Sequence, residues 1–147
     1  MDFELAAVIR RPLAEVFAFL RDIDQHAGQK GTLVPVYDKL TPGPVGVGTR
    51  YREVVQLMPF VTGEVRTEVV GYEPGRRLAY RYAAMGMEGA LTYWFAAVDE
   101  GTRLVQQQSL RPSGALRILS PMIGALFSVM LRWRLAGIKR QLERGAA

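Results

Sequence analysis

The stretch Val61-Thr62-Gly63-Glu64-Val65-Arg66-Thr67-Glu68-Val69-Val70 is where the fold can be read, because from Glu64 to Val69 three charged residues alternate with three uncharged ones. Successive side chains of an extended chain point to opposite faces, so this spacing predicts a strand with one wet face and one face turned to a core. Outward from it, turn signals recur at Thr41-Pro42-Gly43-Pro44 through Gly48, Met58-Pro59, Gly71-Tyr72-Glu73-Pro74-Gly75, Met85-Gly86-Met87 and Asp99-Glu100-Gly101. The runs between them read as strands at Leu33–Leu40, Thr49–Leu57, Val61–Val70, Arg77–Ala84, Ala90–Val98 and Arg103–Leu110. Connections this short join antiparallel neighbours, and an antiparallel sheet can leave one face in water.

Both flanks change period. Upstream, Phe3, Leu5, Ala7 and Ile9 alternate with Glu4, Ala6, Val8 and Arg10, which predicts a first strand. Pro12 then opens a helix carrying Leu13, Val16, Phe17 and Leu20 on one face and ending near Asp22 to Gln25. Gln25 to Thr32, with the single histidine His26, reads as a loop or a short second helix. Downstream, Arg111-Pro112-Ser113-Gly114 breaks the last strand, and Ser120-Pro121 supplies a cap and a first-turn proline for a helix running to about Arg144. The order strand, helix, six strands, long helix is α+β and fits one domain over residues 1–147.

Composition narrows the chemistry. Hydrophobic residues make up 49% and charged residues 22%, ordinary globular usage. With no cysteine, disulfides, zinc-thiolate sites, iron-sulfur clusters and cysteine nucleophiles are excluded. The opening Met1-Asp2-Phe3-Glu4 lacks the basic start and apolar run of a signal peptide, so a cytoplasmic location is expected. The longest apolar stretch, Ile118 to Leu131, is 14 residues, against about 20 for a spanning helix. Residues 115–147 hold Arg117, Arg132, Arg134, Lys139, Arg140 and Arg144 against Glu143 alone, 6 − 1 = +5, which is the whole net charge. One polarised element, rather than a basic nucleic-acid-binding surface, is therefore expected.

In this order, Ile9-Arg10-Arg11-Pro12 leading into Val16-Phe17-x-Phe19-Leu20-x-Asp22, Gly46-Val47-Gly48-Thr49-Arg50-Tyr51, Glu73-Pro74-Gly75-Arg76-Arg77-Leu78 and Gly101-Thr102-Arg103 resemble the START-related (SRPBCC) superfamily. That superfamily includes polyketide cyclases and dehydratases, pollen-allergen-like proteins and lipid-transfer domains. The resemblance implies a helix-grip fold: a seven-stranded curved antiparallel sheet around a long C-terminal helix, two short helices between strands 1 and 2, and a hydrophobic cavity between sheet and helix. It does not imply a reaction, since members range from carriers to cyclases.

No HExxH, EF-hand, Walker or GxGxxG pattern occurs, so neither a metal nor a nucleotide cofactor is expected. Tyr80 and Tyr82 share a strand face, and Gln106 and Gln108 lie in phase with Leu104 and Leu110. Tyr93 and Trp94 are adjacent, so only one of them can point inward. On a cavity wall the amides and tyrosine hydroxyls would orient a ligand's oxygens; on the other phase they are ordinary sheet residues, and a single sequence leaves both open. The expected lining is Tyr51, Val65, Thr67, Tyr80, Tyr82, Tyr93, Gln106 and Gln108 from the sheet with Met122, Leu126, Met130 and Trp133 from the helix. Glu53, Tyr80 and Tyr93 are the acid–base candidates, with Glu53 the weaker because charged strand residues normally face water.

At about 100° per residue, Leu119, Met122, Ile123, Leu126, Met130 and Trp133 form one stripe on the C-terminal helix, expected against the sheet. Phe127, Leu131, Leu135, Ile138 and Leu142 form a second, giving more apolar surface than one sheet can cover. Packing on the first helix and strand, a homodimer and contact with an anionic membrane are the alternatives. Met58, Phe60, Met85, Met87 and Leu119 are expected to cluster at one end as an apolar cavity entrance. The function expected is binding, extending to transport, of a small hydrophobic or aromatic lipid-like ligand in an internal cavity, with a cyclase or dehydratase-type enzyme and an interaction module using the C-terminal helix as alternatives.

Overall fold

Strand parity and turn placement produce one curved sheet. The computed structural model describes residues 1–23, 36–58, 61–84 and 86–144. Seven strands, β1 (Asp2–Ile9), β2 (Val36–Lys39), β3 (Arg50–Met58), β4 (Val61–Glu73), β5 (Arg77–Ala84), β6 (Met87–Val98) and β7 (Gly101–Pro112), accompany helices α1 (Leu13–Arg21) and α2 (Ser120–Arg144). A 3-10 segment, Gly114–Leu119, leads into α2. The sheet order is β1-β7-β6-β5-β4-β3-β2, antiparallel throughout, so the α+β class with a long C-terminal helix is observed. The expected second short helix before β2 falls on residues 24–35, outside the described residues.

Three local readings need correction. Gly71-Tyr72 belongs to β4, which runs on to Glu73 past a register shift between Val69 and Gly71; the turn is at Pro74-Gly75, where Gly75 takes a φ of 72°. Pro12 precedes α1 in an extended conformation rather than occupying its first turn. Ser120 is helical, at φ −50° and ψ −44°, because the 3-10 segment already has helical sense and runs straight into α2, leaving no extended residue to act as a cap.

The ladder brings inward-facing residues into rows across the sheet. Leu5, Gln106, Tyr93 and Leu78 form one, Phe3, Gln108, Leu91 and Tyr80 the next, and Leu110, Gly89, Tyr82, Thr67 and Tyr51 a third. Glu64, Arg66 and Glu68 point outward, where Glu64 pairs with Arg52 and Arg66 at 3.2 and 3.0 Å. At one end α1 closes the concave face: Val16, Phe17 and Leu20 are buried, with Phe17 edge-on to Phe95 and Tyr72 at 5.1 and 5.8 Å between ring centres. Along β1 lies α2, held by Phe127 against Phe3 at 5.3 Å and by the Arg10 amide donating to Glu143 Oε2 at 3.0 Å.

The face of α2 turned to the sheet is Leu131, Leu135, Ile138 and Leu142, all buried, and not the stripe expected there. Met122, Leu126 and Trp133 are 55, 56 and 65% exposed. Arg140 and Arg144 lie 18 residues beyond Met122 and Leu126, which is five whole turns at about 3.6 residues each, hence on the same face. Turning that face to the core would bury two arginines, so the opposite one packs.

Tyr82 lies across Gly89, its ladder partner: a Cβ on Gly89 would collide with the Tyr82 ring and with the Ser109 carbonyl. Gly89→Ala is therefore expected to lose about 2 kcal/mol and roughly 4–8 °C in Tm. Gly46→Ala, whose Cβ meets nothing within 4 Å, serves as the control that leaves the thermal melt in place.

Candidate functional site

Beyond the end closed by α1, the concave face turns polar. Gln106 and Gln108 sit two residues apart on β7 and so face the same way, in phase with buried Leu104 and Leu110. Gln106 Nε2 donates to Gln108 Oε1 at 2.8 Å, Gln108 Nε2 donates to the Tyr82 hydroxyl at 3.0 Å, and that hydroxyl donates to the Ser109 carbonyl at 2.9 Å. The chain of donors thus ends on the backbone and begins at Gln106. No further hydrogen bond engages the Gln106 carboxamide oxygen among the described residues. Gln106 is only 2% exposed, and a buried amide left without partners costs about 1–3 kcal/mol, so the row must be held together by its own bonds.

Across the sheet, Tyr93 is the inward member of its pair. Trp94 faces out, donating to Gln107 Oε1 at 2.9 Å under the Arg77 guanidinium. Tyr80 and Tyr93 meet edge-on at 6.3 Å. Glu53 shares the inward parity of Tyr51 and is 6% exposed, against the expectation that it faces water; its Oε1 accepts from the Thr67 hydroxyl at 3.1 Å. The ladder, which pairs Glu53 with Val65, dictates that orientation, and the Thr67 hydroxyl offsets part of the desolvation.

Burial pushes the Tyr80 hydroxyl well above its ordinary value of 10.0, raises that of Tyr93, and brings that of Tyr82 up to about 12. The Arg134 guanidinium acts the other way on all three hydroxyls, while the Glu53 carboxylate adds to the rise. Arg134, half-buried on α2, therefore belongs to this site, although the sequence reading did not include it. Its signal was available: it is the one arginine of α2 that lies between the two apolar stripes, clear of the wet side marked by Arg132, Arg140 and Arg144.

The remaining expected residues divide cleanly. Tyr51 and Thr67 are buried on the concave face, where Val65 is half-buried. Met122, Leu126 and Trp133 point away from it, and Met130 is half-buried. Of the expected entrance, Phe60 and Met85 lie outside the described residues and Met58 ends β3. Met87 is half-buried opposite Pro112 in the ladder, and Leu119 is exposed at the end of the 3-10 segment. The Gly86 turn does meet the start of that segment, its carbonyl accepting from the Ser113 amide at 3.0 Å. Of two open clefts, one of about 610 Å³ lies by the Gly86 turn between Met87, Glu88, Arg111 and Arg117, and one of about 650 Å³ takes in Tyr51, Thr67 and Tyr82 beside Arg66, Arg81 and Glu88; neither reaches Gln106, Gln108 or Tyr93. Among the described residues no cluster of histidine and carboxylate side chains is placed to hold a metal ion.

The sequence profile described as polyketide cyclase / dehydrase and lipid transport matches residues 1–145. The Zhui aromatase/cyclase from Streptomyces sp. R1128 superposes with a TM-score of 0.80 at 17% identity, covering 100% of this chain and 96% of that one. A Thermus thermophilus protein gives 0.77 at 15% identity over 100% of both chains, and one from Chromobacterium violaceum 0.74 at 18% over 97% and 98%. These likenesses establish the helix-grip fold. No curated protein matches the sequence.

The concave hydroxyls make the site sensitive to pH. Folded, Tyr80, Tyr82 and Tyr93 hold their protons more tightly than an unfolded chain, where tyrosine titrates near 10. Above that pH the unfolded state sheds protons that the folded state keeps, so stability falls as pH rises from about 10 to 12. Denaturant melts across this range should show the decline, and Tyr82→Phe should make it shallower.

Proposed function

Since the chain belongs to the polyketide cyclase/dehydrase and lipid transport family, we propose that it binds, and carries, a small hydrophobic ligand bearing oxygen substituents on the concave face beneath α2. The observation behind this reading is the Gln106–Gln108–Tyr82 row, a directed line of hydrogen bonds set among Leu5, Leu91, Tyr80 and Leu110. Apolar sites use a few fixed polar groups to orient what they bind, and this row offers a carboxamide oxygen at its free end. Arg134 adds positive charge over the same surface, which favours a ligand whose oxygen is acidic or carries partial negative charge.

A second reading, an acid–base step of the cyclase or dehydratase kind, is favoured by Glu53. A carboxylate that is 6% exposed and faces the tyrosines has the placement a general base requires. Glu53→Gln separates the two: a carrier keeps its affinity and has nothing further to lose, whereas an enzyme keeps binding and loses turnover.

Native mass spectrometry of gently purified protein is expected to reveal a retained small molecule. With hydroxylated polycyclic aromatics as probes, Gln106→Leu should weaken binding about 10-fold, the worth of one hydrogen bond, and leave the parent hydrocarbon unaffected. Equal loss for both probes, or no binding of either, would remove the proposal.

A further inference from the structure

The outward face of α2 is a feature that ligand binding does not use. No residue of α2 before Leu131 is buried, although Ser120–Met130 is its more apolar half. Ile118, Leu119, Met122, Leu126, Val129 and Trp133 stand exposed along one side, Ile118 by 83%. Solvent-exposed apolar side chains aligned over this length mark a contact surface rather than chance exposure.

Charge decides what covers it. Arg117, Arg132, Arg140 and Arg144 are all exposed around this stripe, and residues 114–142 contain no aspartate or glutamate. Glu143, the one acid of α2, is turned to β1 and accepts from the Arg10 amide. A second copy docked on the same face would set arginine rows against each other with no acid between them. An anionic lipid surface meets both properties at once: phosphate and carboxylate headgroups around the arginines, acyl chains under Met122, Leu126 and Trp133.

We propose that α2 docks the protein on anionic bilayers, lying in the plane of the interface with this stripe immersed. By length and composition the helical stretch Gly114–Arg144 would suit a spanning helix as well, but the opposite face of α2 is committed. Leu131, Leu135, Ile138 and Leu142 pack on the protein, and Arg132, Arg134, Lys139 and Arg140 interrupt the second half of the helix. An interfacial helix keeps one face on the protein and gives the other to lipid. Docking in this way brings the 3-10 segment and the Gly86 turn bonded to it toward the lipid, beside the strand ends that carry Tyr82 and Gln108.

The two tryptophans allow a direct test, since Trp94 sits on the outer face of the sheet, bonded to Gln107. In a Trp94→Phe variant Trp133 becomes the sole reporter. Vesicles of phosphatidylcholine with and without phosphatidylglycerol are mixed with the protein, then floated and read by tryptophan emission. Flotation with the anionic vesicles and a blue shift of Trp133 are expected, with Arg132→Ser and Arg140→Ser each weakening partitioning about 5-fold. Leu126→Glu, at an exposed position that leaves the fold intact by circular dichroism, should abolish flotation. Protein that stays unbound on anionic vesicles, an unmoved Trp133 emission, or Leu126→Glu floating like the parent overturns the proposal. So does sedimentation equilibrium in which a dimer buries Trp133 without lipid. None of these readouts depends on the cavity ligand, so the outcome is separable from the ligand-binding reading.

Discussion

Seven strands curve into a sheet that has only two described helices to cover its concave side, and that shortage of cover shapes the rest of the molecule. At one end α1 seals the surface with Val16, Phe17 and Leu20, and α2 takes the margin along β1. Between them the inward side chains must shield one another. Tyr51, Tyr80 and Tyr93 do so, each nearly inaccessible, because an aromatic ring covers more surface than an aliphatic side chain at the same Cβ.

Large rings carry hydroxyls, and hydroxyls in a low-dielectric setting need partners. The amides of β7 meet that need for Tyr82: strand parity aims Gln106 and Gln108 at the same space, and the missing Cβ of Gly89 lets the Tyr82 ring reach across to them. The result is a polar line whose direction is set by a backbone carbonyl at one end, with the Gln106 carboxamide at the other. A fixed polar line on an apolar floor discriminates by the position of a ligand's oxygen, because the wrong position leaves a buried group unpaired.

The long helix joins this interior to the exterior. Its buried stripe of Leu131, Leu135, Ile138 and Leu142 anchors the C-terminal half, and Phe127 on Phe3 is the main aromatic tether of the N-terminal half. Arg134 looks toward the tyrosines while Arg132, Arg140 and Arg144 face water. One helix therefore carries two sets of arginines with different roles, separated by about a quarter turn or more of rotation.

Alternation in Glu64–Val69, the regular turn signals and the period change after Gly114 were enough to establish seven antiparallel strands, the first helix and the last, along with the shared face of Gln106 and Gln108, though not that this face is the inner one. Those features depend on neighbours in the chain, whose side-chain directions follow from backbone period alone. Which of Tyr93 and Trp94 turned inward, that Glu53 was buried, and which stripe of α2 met the sheet were settled only by tertiary packing. Each is a choice between faces of comparable apolarity, and such a choice is made by register across strands and by the burial cost of distant charges such as Arg140 and Arg144. These are quantities that a linear pattern contains only once the elements are placed against one another.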